Sequence, residues 1–409
     1  MGSNFQFSSI GFFSKAPSKY NTESNPTLIS NQTLSGNISQ ILQHRNNRIM
    51  FNPILVFLVF IVLVCPTSCR KHHVINFRWH NLYPESFIWD PQSEHFVLGS
   101  LRQRTLLSVS DAGVTSYLLS DTSLPPNSSF LGLALDRRHH RILAVVHRFS
   151  TPTTPAFNAL ASYHLSTFHQ LFLTPLPPTP LHSTVVANDV AVDFSGNAYV
   201  TDSANDVIYK LNIEGQASIL SKSQAFKFHP VDRNVPYHNC GLNGVVHNSK
   251  GYLLVIQSNT GKLFKVNDDD GTAREVILNR DLTAADGIAV RSDGVVVVVS
   301  QYKLYFIKSD DNWSEGVVFD ETALEEERQA SAVVVGANDR VYALYGHVDE
   351  GVMGNTEREE FSIVEVESEN ESKGENVWIF VLIGLGLVYF LFWRFQMRQL
   401  VQNMNKKTA

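Results

Sequence analysis

Four oxygen-bearing side chains, Glu85, Asn188, Asn243 and Asp286, stand at the same place in a pattern that recurs along this 409-residue chain. Each directly precedes a short apolar run: Ser86–Asp90, Asp189–Asp193, Gly244–Val246 and Gly287–Val290. Two carboxylates and two amides offer only hard oxygen donors and carry two negative charges. Gathered round one axis, such a set suits a hard divalent cation, calcium before others. Taken singly, each reads as turn chemistry, since Asn-Asp, Asn-Gly and Asp-Gly are ordinary turn dipeptides. Register is what sets them apart. Two further segments, Gly132–Asp136 after Leu131 and Ala332–Val335 after Ser331, fit the same frame. Four of the six matched positions therefore carry a ligand-type side chain, and Leu131 and Ser331 would leave room for water or substrate.

The elements that must position these residues are short strands. Each frame start is followed by a turn and a second strand, as in Asp193–Asn197 then Ala198–Val200, or Asn248–Gly251 then Tyr252–Ile256. A third strand often follows, such as Val207–Leu211 or Lys262–Val266. These are β-branched and aromatic runs punctuated by Gly, Asn and Asp. No long 3.6-residue periodicity interrupts residues 71–366. Units of 43 to 57 residues, each with three or four strands, predict an all-β fold, a six-bladed β-propeller over 71–366. In a propeller the innermost strand of every blade faces the central channel. A spacing that means little along a line then brings side chains together on a ring.

Composition narrows the rest. The net charge is −6, and no basic patch predicts nucleic acid as a partner. Three cysteines, Cys65, Cys69 and Cys240, make neither a disulfide framework nor a zinc pattern. Cys240 is expected to be an inert buried thiol. Histidines 147, 182, 229, 238, 247 and 347 lie within the repeats, but none is placed by spacing as a general base. Phe226, Phe228 and Tyr237, in the link before Asn243, would either cover the channel mouth or pack between blades.

Two apolar segments frame the domain. Residues 54–65 are wholly apolar, with Arg45 and Arg48 before them and small or polar residues after. That length is short for a spanning helix and right for the core of a signal peptide, or for a signal anchor, over 50–70 with Met50 as an alternative start. Residues 1–49 read as a disordered or targeting extension. At the other end an acidic linker, 367–376, leads to an apolar stretch from Val377 to Trp393, and a basic tail, 394–409, follows. The stretch predicts one transmembrane helix, with the tail cytosolic and the propeller lumenal. The chain ends Lys406-Lys407-Thr408-Ala409, which resembles the dilysine signal by which coat complexes retrieve type I membrane proteins to the endoplasmic reticulum. Sequons at Asn127, Asn312 and Asn370 would then be lumenal.

The set Tyr83–Asp90, Ala187–Asp193, Leu242–Val245 and Ala285–Val290 resembles the gluconolactonase and regucalcin-like superfamily, whose relatives include paraoxonase, diisopropyl fluorophosphatase and the strictosidine synthase-like proteins. The resemblance covers about residues 80–366. It implies a six-bladed propeller with one catalytic calcium in its channel, held by Glu85, Asn188, Asn243 and Asp286. It further implies hydrolysis of an ester, lactone or phosphotriester in a small-molecule substrate, with Asp286 or Glu85 as the catalytic carboxylate. Two departures stand out. Many lactonases have Glu-Gly-Pro at the first ligand, where this chain has Glu85-Ser86-Phe87. Regucalcin-like members carry a substrate-binding Arg at the position of Val186. Loss of that contact favours, as an alternative, a calcium-pinned binding or scaffold module. A strictosidine synthase-like lyase is the third reading, opposed by the Asn/Asn/Asp set, which strictosidine synthase itself lacks.

Changing Lys406 and Lys407 together to Ser is expected to release the protein from the endoplasmic reticulum to later secretory compartments. Imaging of the full-length chain checks this, and an unchanged distribution would remove the retrieval reading.

Overall fold

The structure is a computed structural model that describes residues 73–178 and 185–407, without the side chains of 372–379 and 407. The N-terminal segments 1–49 and 50–70, with Cys65 and Cys69, lie outside the described residues, as does His182.

The strands order themselves as antiparallel meanders. β1 (Val74–Arg78) opens the described chain. The first full sheet is β2 (Phe87–Asp90), β3 (His95–Gly99), β4 (Thr105–Ser110) and β5 (Thr115–Ser120). The second is β6 (Ser129–Asp136), β7 (Arg141–Arg148), β8 (Phe157–His164) and β9 (Gln170–Pro175). The third is β10 (Ala187–Val192), β11 (Ala198–Asp202), β12 (Val207–Leu211) and β13 (Ala217–Ser221). Two further meanders follow, β14 (Leu242–Asn248) to β17 (Ala273–Leu278) by way of β15 (Tyr252–Gln257) and β16 (Lys262–Asn267), and β18 (Ala285–Val290) to β21 (Glu315–Ala323) by way of β19 (Val296–Ser300) and β20 (Lys303–Lys308). These two are joined into one eight-stranded sheet by a parallel contact of β17 with β21 at Ile277–Glu315 and Leu278–Gly316. The last sheet has β22 (Ala330–Val335), β23 (Val341–Tyr345) and β24 (Glu360–Val366), with β1 completing its outer edge.

This is an all-β, propeller-like fold. The first strand of each meander packs against the first strand of the next, β2 on β6, β6 on β10, and so on to β22, which returns to β2. Closure is explicit. β1 pairs with β24 over five residues, Val74↔Val364 to Arg78↔Glu360. Arg102, just after β3, donates to the carbonyls of Gly351 at 2.9 Å and of Glu350 and Thr356 at 2.6 Å, all in the loop before β24. That loop holds the short helix α1 (Val348–Met353).

Second strands carry the core. Every residue of β11, β15, β19 and β23 is buried, which is why these segments read as unbroken apolar runs. Burying such a Val or Leu contributes about 1.5–3 kcal/mol each. Outer strands such as β13 are mostly exposed or half-buried. The first strand of each meander is a sheet edge, and these edges meet at the channel.

The sequence pattern supplies a second feature. A register shift interrupts the first strand at the matched position in five meanders: between Phe130 and Leu133, Ala187 and Val190, Leu242 and Val245, Ala285 and Ile288, and Ala330 and Ala332. These bulges hold the dipeptides that read as turns. A bulge breaks the in-out alternation of a strand and re-aims one side chain. It also brings neighbouring backbones close. A Cβ built on Gly244 would lie 2.8 Å from the Asp286 carbonyl oxygen and 2.9 Å from the Ile288 nitrogen. A Cβ on Gly132 would lie 2.4 Å from the Asp189 Cα.

The helix α2 runs from Glu369 to Lys407. It includes most of the expected acidic linker as well as the expected spanning stretch. Its 27-residue segment Phe380–Lys406 is long and apolar enough to cross a membrane, with a best 18-residue stretch of mean hydropathy 1.7, none of it buried. At 1.5 Å per residue that is about 40 Å. Its first turn is fastened to the domain. The Asn370 amide donates to the Phe319 carbonyl and to Asp320, both at 3.0 Å, and Arg291 pairs with Glu371 at 2.7 Å.

Gly244→Ala is expected to destabilise the domain by about 1–3 kcal/mol, because the atoms met are backbone. Chemical denaturation measures this. A variant as stable as the parent would mean that the first strands are not so closely approached.

Candidate functional site

The four residues singled out by register line one cavity of about 340 Å³ at the meeting of the first strands. Glu85 enters it from the segment before β2, Asn188 from the bulge of β10, Asn243 from that of β14 and Asp286 from that of β18. Ser331, at the sixth matched position, also lines the cavity, whereas Leu131 is buried in the core and Leu133 takes the wall instead. Ile88, Val190, Val245 and Ile288 make the apolar part of the lining.

Hydrogen bonds hold the polar groups in place. The Asn188 amide nitrogen donates to Ser203 Oγ at 3.0 Å. The Asn243 amide nitrogen donates to Ser258 Oγ at 3.0 Å and to Asp286 Oδ1 at 2.8 Å. What remains unpaired is telling. Glu85 Oε2 and Asn188 Oδ1 are buried and have no hydrogen-bond partner. A buried oxygen left unpaired costs about 1–3 kcal/mol, more when charged.

A third carboxylate belongs to the site. Asp189 lines the same cavity. It accepts from the backbone nitrogens of Val190 at 2.8 Å and Val245 at 2.9 Å, bridging β10 and β14. By sequence Asp189 is the first residue of an apolar run. The available signal was its type: three of the other matched runs have Gly at this position, one has Ser and one Ala.

The electrostatics follow from enclosure. Burial, then the charges of Asp286 and Asp189, holds the Glu85 carboxyl well above its ordinary range. Asp286 is pushed up to about 7 by burial, against the opposing hydrogen bond from Asn243. Asp189 reaches about 7, again by burial and despite its two backbone donors. Each shift says the same thing: the cage resists holding its negative charges unaided.

Cys240 stands beside the cage. Although the residue is half-exposed, its thiol is enclosed, lying 3.5 Å from the Asn243 amide nitrogen and near Ser258 and Ser203. Burial, with Asp286 adding, pushes that thiol up to about 11, so it is protonated near neutrality.

Other candidates fall elsewhere. Among the described histidines of that set, His247 is the one that lines the cavity. It sits four residues along β14 from Asn243, about 13 Å at strand spacing, and pairs with Asp268 at 2.7 Å. Asp193, His247 and Asp268 form a separate cluster with ligand atoms within 4.8 Å of one another. His147 is buried and bonded to Asn158, and His229 pairs with Glu275. Phe226 packs edge-on against Phe264 in the core, while Phe228 is exposed, and neither they nor Tyr237 line the cavity. Val186 bonds through its backbone nitrogen to Asp202.

No protein-family model matches the sequence, and no curated protein does. Solved structures are similar in fold. The major allergen Mala s 1 of Malassezia sympodialis superposes with a TM-score of 0.60 at 16% identity, covering 72% of this chain and 96% of that one. A luciferin-regenerating enzyme gives 0.47 at 12% identity, over 73% and 98% of the two chains. A putative gluconolactonase gives 0.45 at 14%, over 73% and 93%.

A pH dependence follows. Carboxyls whose folded pKa is raised bind protons more readily folded than unfolded, so their stabilising contribution is full below about pH 4 and is lost as pH rises through about 7. With chelator present, Asp286, Asp189 and Glu85 therefore make the domain melt lower near pH 8 than near pH 5. Asp286→Asn should flatten that fall. Thermal melts across the window decide it, and melting that rises with pH in both proteins would contradict the burial of these groups.

Proposed function

We propose that this chain is a six-bladed propeller hydrolase of the gluconolactonase and regucalcin-like kind, carrying one calcium ion in its channel and anchored to a membrane by α2. The blade count takes the eight-stranded sheet as two blades, since only two residue pairs join its halves. The cation reading rests on one observation above the rest: two buried oxygens without partners, Glu85 Oε2 and Asn188 Oδ1, face a cage that also holds Asp286 and Asn243. The donor set is oxygen only, which is calcium's preference. A divalent charge would offset the burial of the carboxylates that now shifts their titration upward.

Glu85, Asn188, Asn243 and Asp286 would hold the ion. Bound there, calcium would supply Lewis-acid polarisation of a carbonyl or phosphoryl oxygen. The chain's own contributions are separate. The apolar lining of Ile88, Val190, Val245 and Ile288 would seat an uncharged ester, lactone or phosphotriester and limit water around the reacting group. Asp286, held by the Asn243 amide, would present its carboxylate as nucleophile or as base toward water. Glu85 is the alternative for that role. Asp189 has both oxygens committed to backbone donors, so it would shape the cage and add charge.

A second reading is a calcium-pinned module that binds a partner without turning anything over. It is favoured by the distance of His247 from the cage and by Val186 in place of a substrate-binding Arg. In either case the anchoring reading places the tail, with Arg394, Arg398, Lys406 and Lys407, in the cytosol and the domain in the lumen of the endoplasmic reticulum.

The full chain in detergent, assayed on aryl esters, lactones and phosphotriesters, is expected to turn over at least one class with calcium and none with chelator. Asp286→Asn should reduce turnover on the order of 10²–10⁴-fold while leaving the domain folded. Absence of turnover together with a calcium-induced rise in melting temperature would select the non-catalytic module. Wild-type rates in Asp286→Asn would show that the catalytic carboxylate is another group.

A further inference from the structure

Ser203 and Ser258 follow β11 and β15 directly, and each is fifteen residues beyond an asparagine of the cage. Both are almost fully buried, and their environments match. Ser203 Oγ donates to the Leu242 carbonyl at 2.7 Å, and Ser258 Oγ donates to the Ala285 carbonyl at 2.5 Å. Those carbonyls belong to the residues just before Asn243 and Asp286, on the next first strand round the channel. Each serine also meets the amide of the asparagine in its own meander at 3.0 Å.

A serine hydroxyl has one proton to donate. A backbone carbonyl can only accept, so here that proton is spent. Toward its asparagine each serine can then only accept, and the group facing it must be the NH₂ side of the amide. The amide oxygen is forced to the other side. For Asn188 that oxygen is the buried, unpartnered Oδ1 in the cavity wall. For Asn243 the second amide hydrogen is directed to Asp286 Oδ1 at 2.8 Å, which leaves its oxygen as the only group with free lone pairs. The Cys240 thiol nearby is a weak acceptor and does not compete with a carbonyl for the hydroxyl proton.

We propose that Ser203 and Ser258 are positioning residues that set the amide orientation of Asn188 and Asn243, so that the inter-sheet hydrogen bond to the next strand dictates which atom is offered to the cation. The inference rests on the cation reading above. It adds that donor orientation at the axis is set by the contact between neighbouring meanders, and not by the asparagines alone.

The test is a calorimetric calcium titration of the full chain in detergent. Ser203→Ala and Ser258→Ala are each expected to lower calcium affinity about 10–100-fold, as loss of an outer-shell partner does. A merely structural role is separated by a double-mutant cycle. An aspartate has no NH₂ to orient, so in the Asn188→Asp background the further change Ser203→Ala should leave affinity nearly unchanged. A loss of the same size in both backgrounds would overturn the proposal, as would wild-type affinity in both single variants. A readout without cation separates this inference from the calcium reading. In the chelated protein with labelled asparagine, the Asn188 side-chain NH₂ should be protected from solvent exchange, and Ser203→Ala should release it. If the wild-type chain takes no calcium but that protection is seen and lost as expected, the calcium reading fails and the relay stands. If the NH₂ exchanges freely in wild type, the relay fails whatever the chain binds.

Discussion

Three carboxyls, Glu85, Asp189 and Asp286, are enclosed at one place where the first strands meet, and among the described residues no lysine or arginine lines the cavity with them. Taking even one carboxylate out of water without a partner costs several kcal/mol. The fold around this point has to make up that cost elsewhere, and its construction is consistent with the demand. Second strands are buried on both faces, β1 closes the last sheet, and Arg102 fastens the first meander to the loop before β24. Such a scaffold holds an unfavourable cluster because releasing any one carboxyl would require several packed strands to move together.

The cluster is also shaped, not merely tolerated. Asp189 is spoken for by two backbone nitrogens, and Asn188 and Asn243 are held at their nitrogens by buried serines. Of the cage oxygens, Glu85 Oε2 and Asn188 Oδ1 are buried without a hydrogen-bond partner. The Asn188 amide donates into its sheet, while the Asn243 amide donates both to Ser258 and, within the cage, to Asp286. The hydrolase and the scaffold readings proposed above both start from this oxygen lining and differ only in what happens beside it.

Much of the architecture was legible because strand formation is local. Val207–Leu211 is a strand as read, and β10, β14 and β18 begin two residues before the expected runs, whereas β2 begins one residue after its run. The bulges were not legible. Asn-Gly and Asp-Gly signal a break in regular pairing, but whether that break ends a strand or interrupts one depends on the partner strand, which is distant in sequence. Asp189 was passed over for a related reason. In a regular strand it would alternate with Asn188 to the opposite face, and only the bulge lets both reach the cavity. Ser203 and Ser258 were invisible for want of any local anomaly, since a serine after a strand is unremarkable until its hydroxyl is seen against the next sheet.

Sequence by itself determined the repeat, the strand segments, the four oxygen-bearing positions and the apolar C-terminal stretch, because each depends on residues near one another in the chain. Tertiary structure alone decided how those positions act together: that Glu85, Asn188, Asn243 and Asp286 share one cavity with Asp189, that His247 in its lining is paired with Asp268, and which atom of each amide is left free. These depend on closing a ring of strands and on hydrogen bonds between segments some forty residues apart, and pairings at that distance are settled by packing, not by local preference.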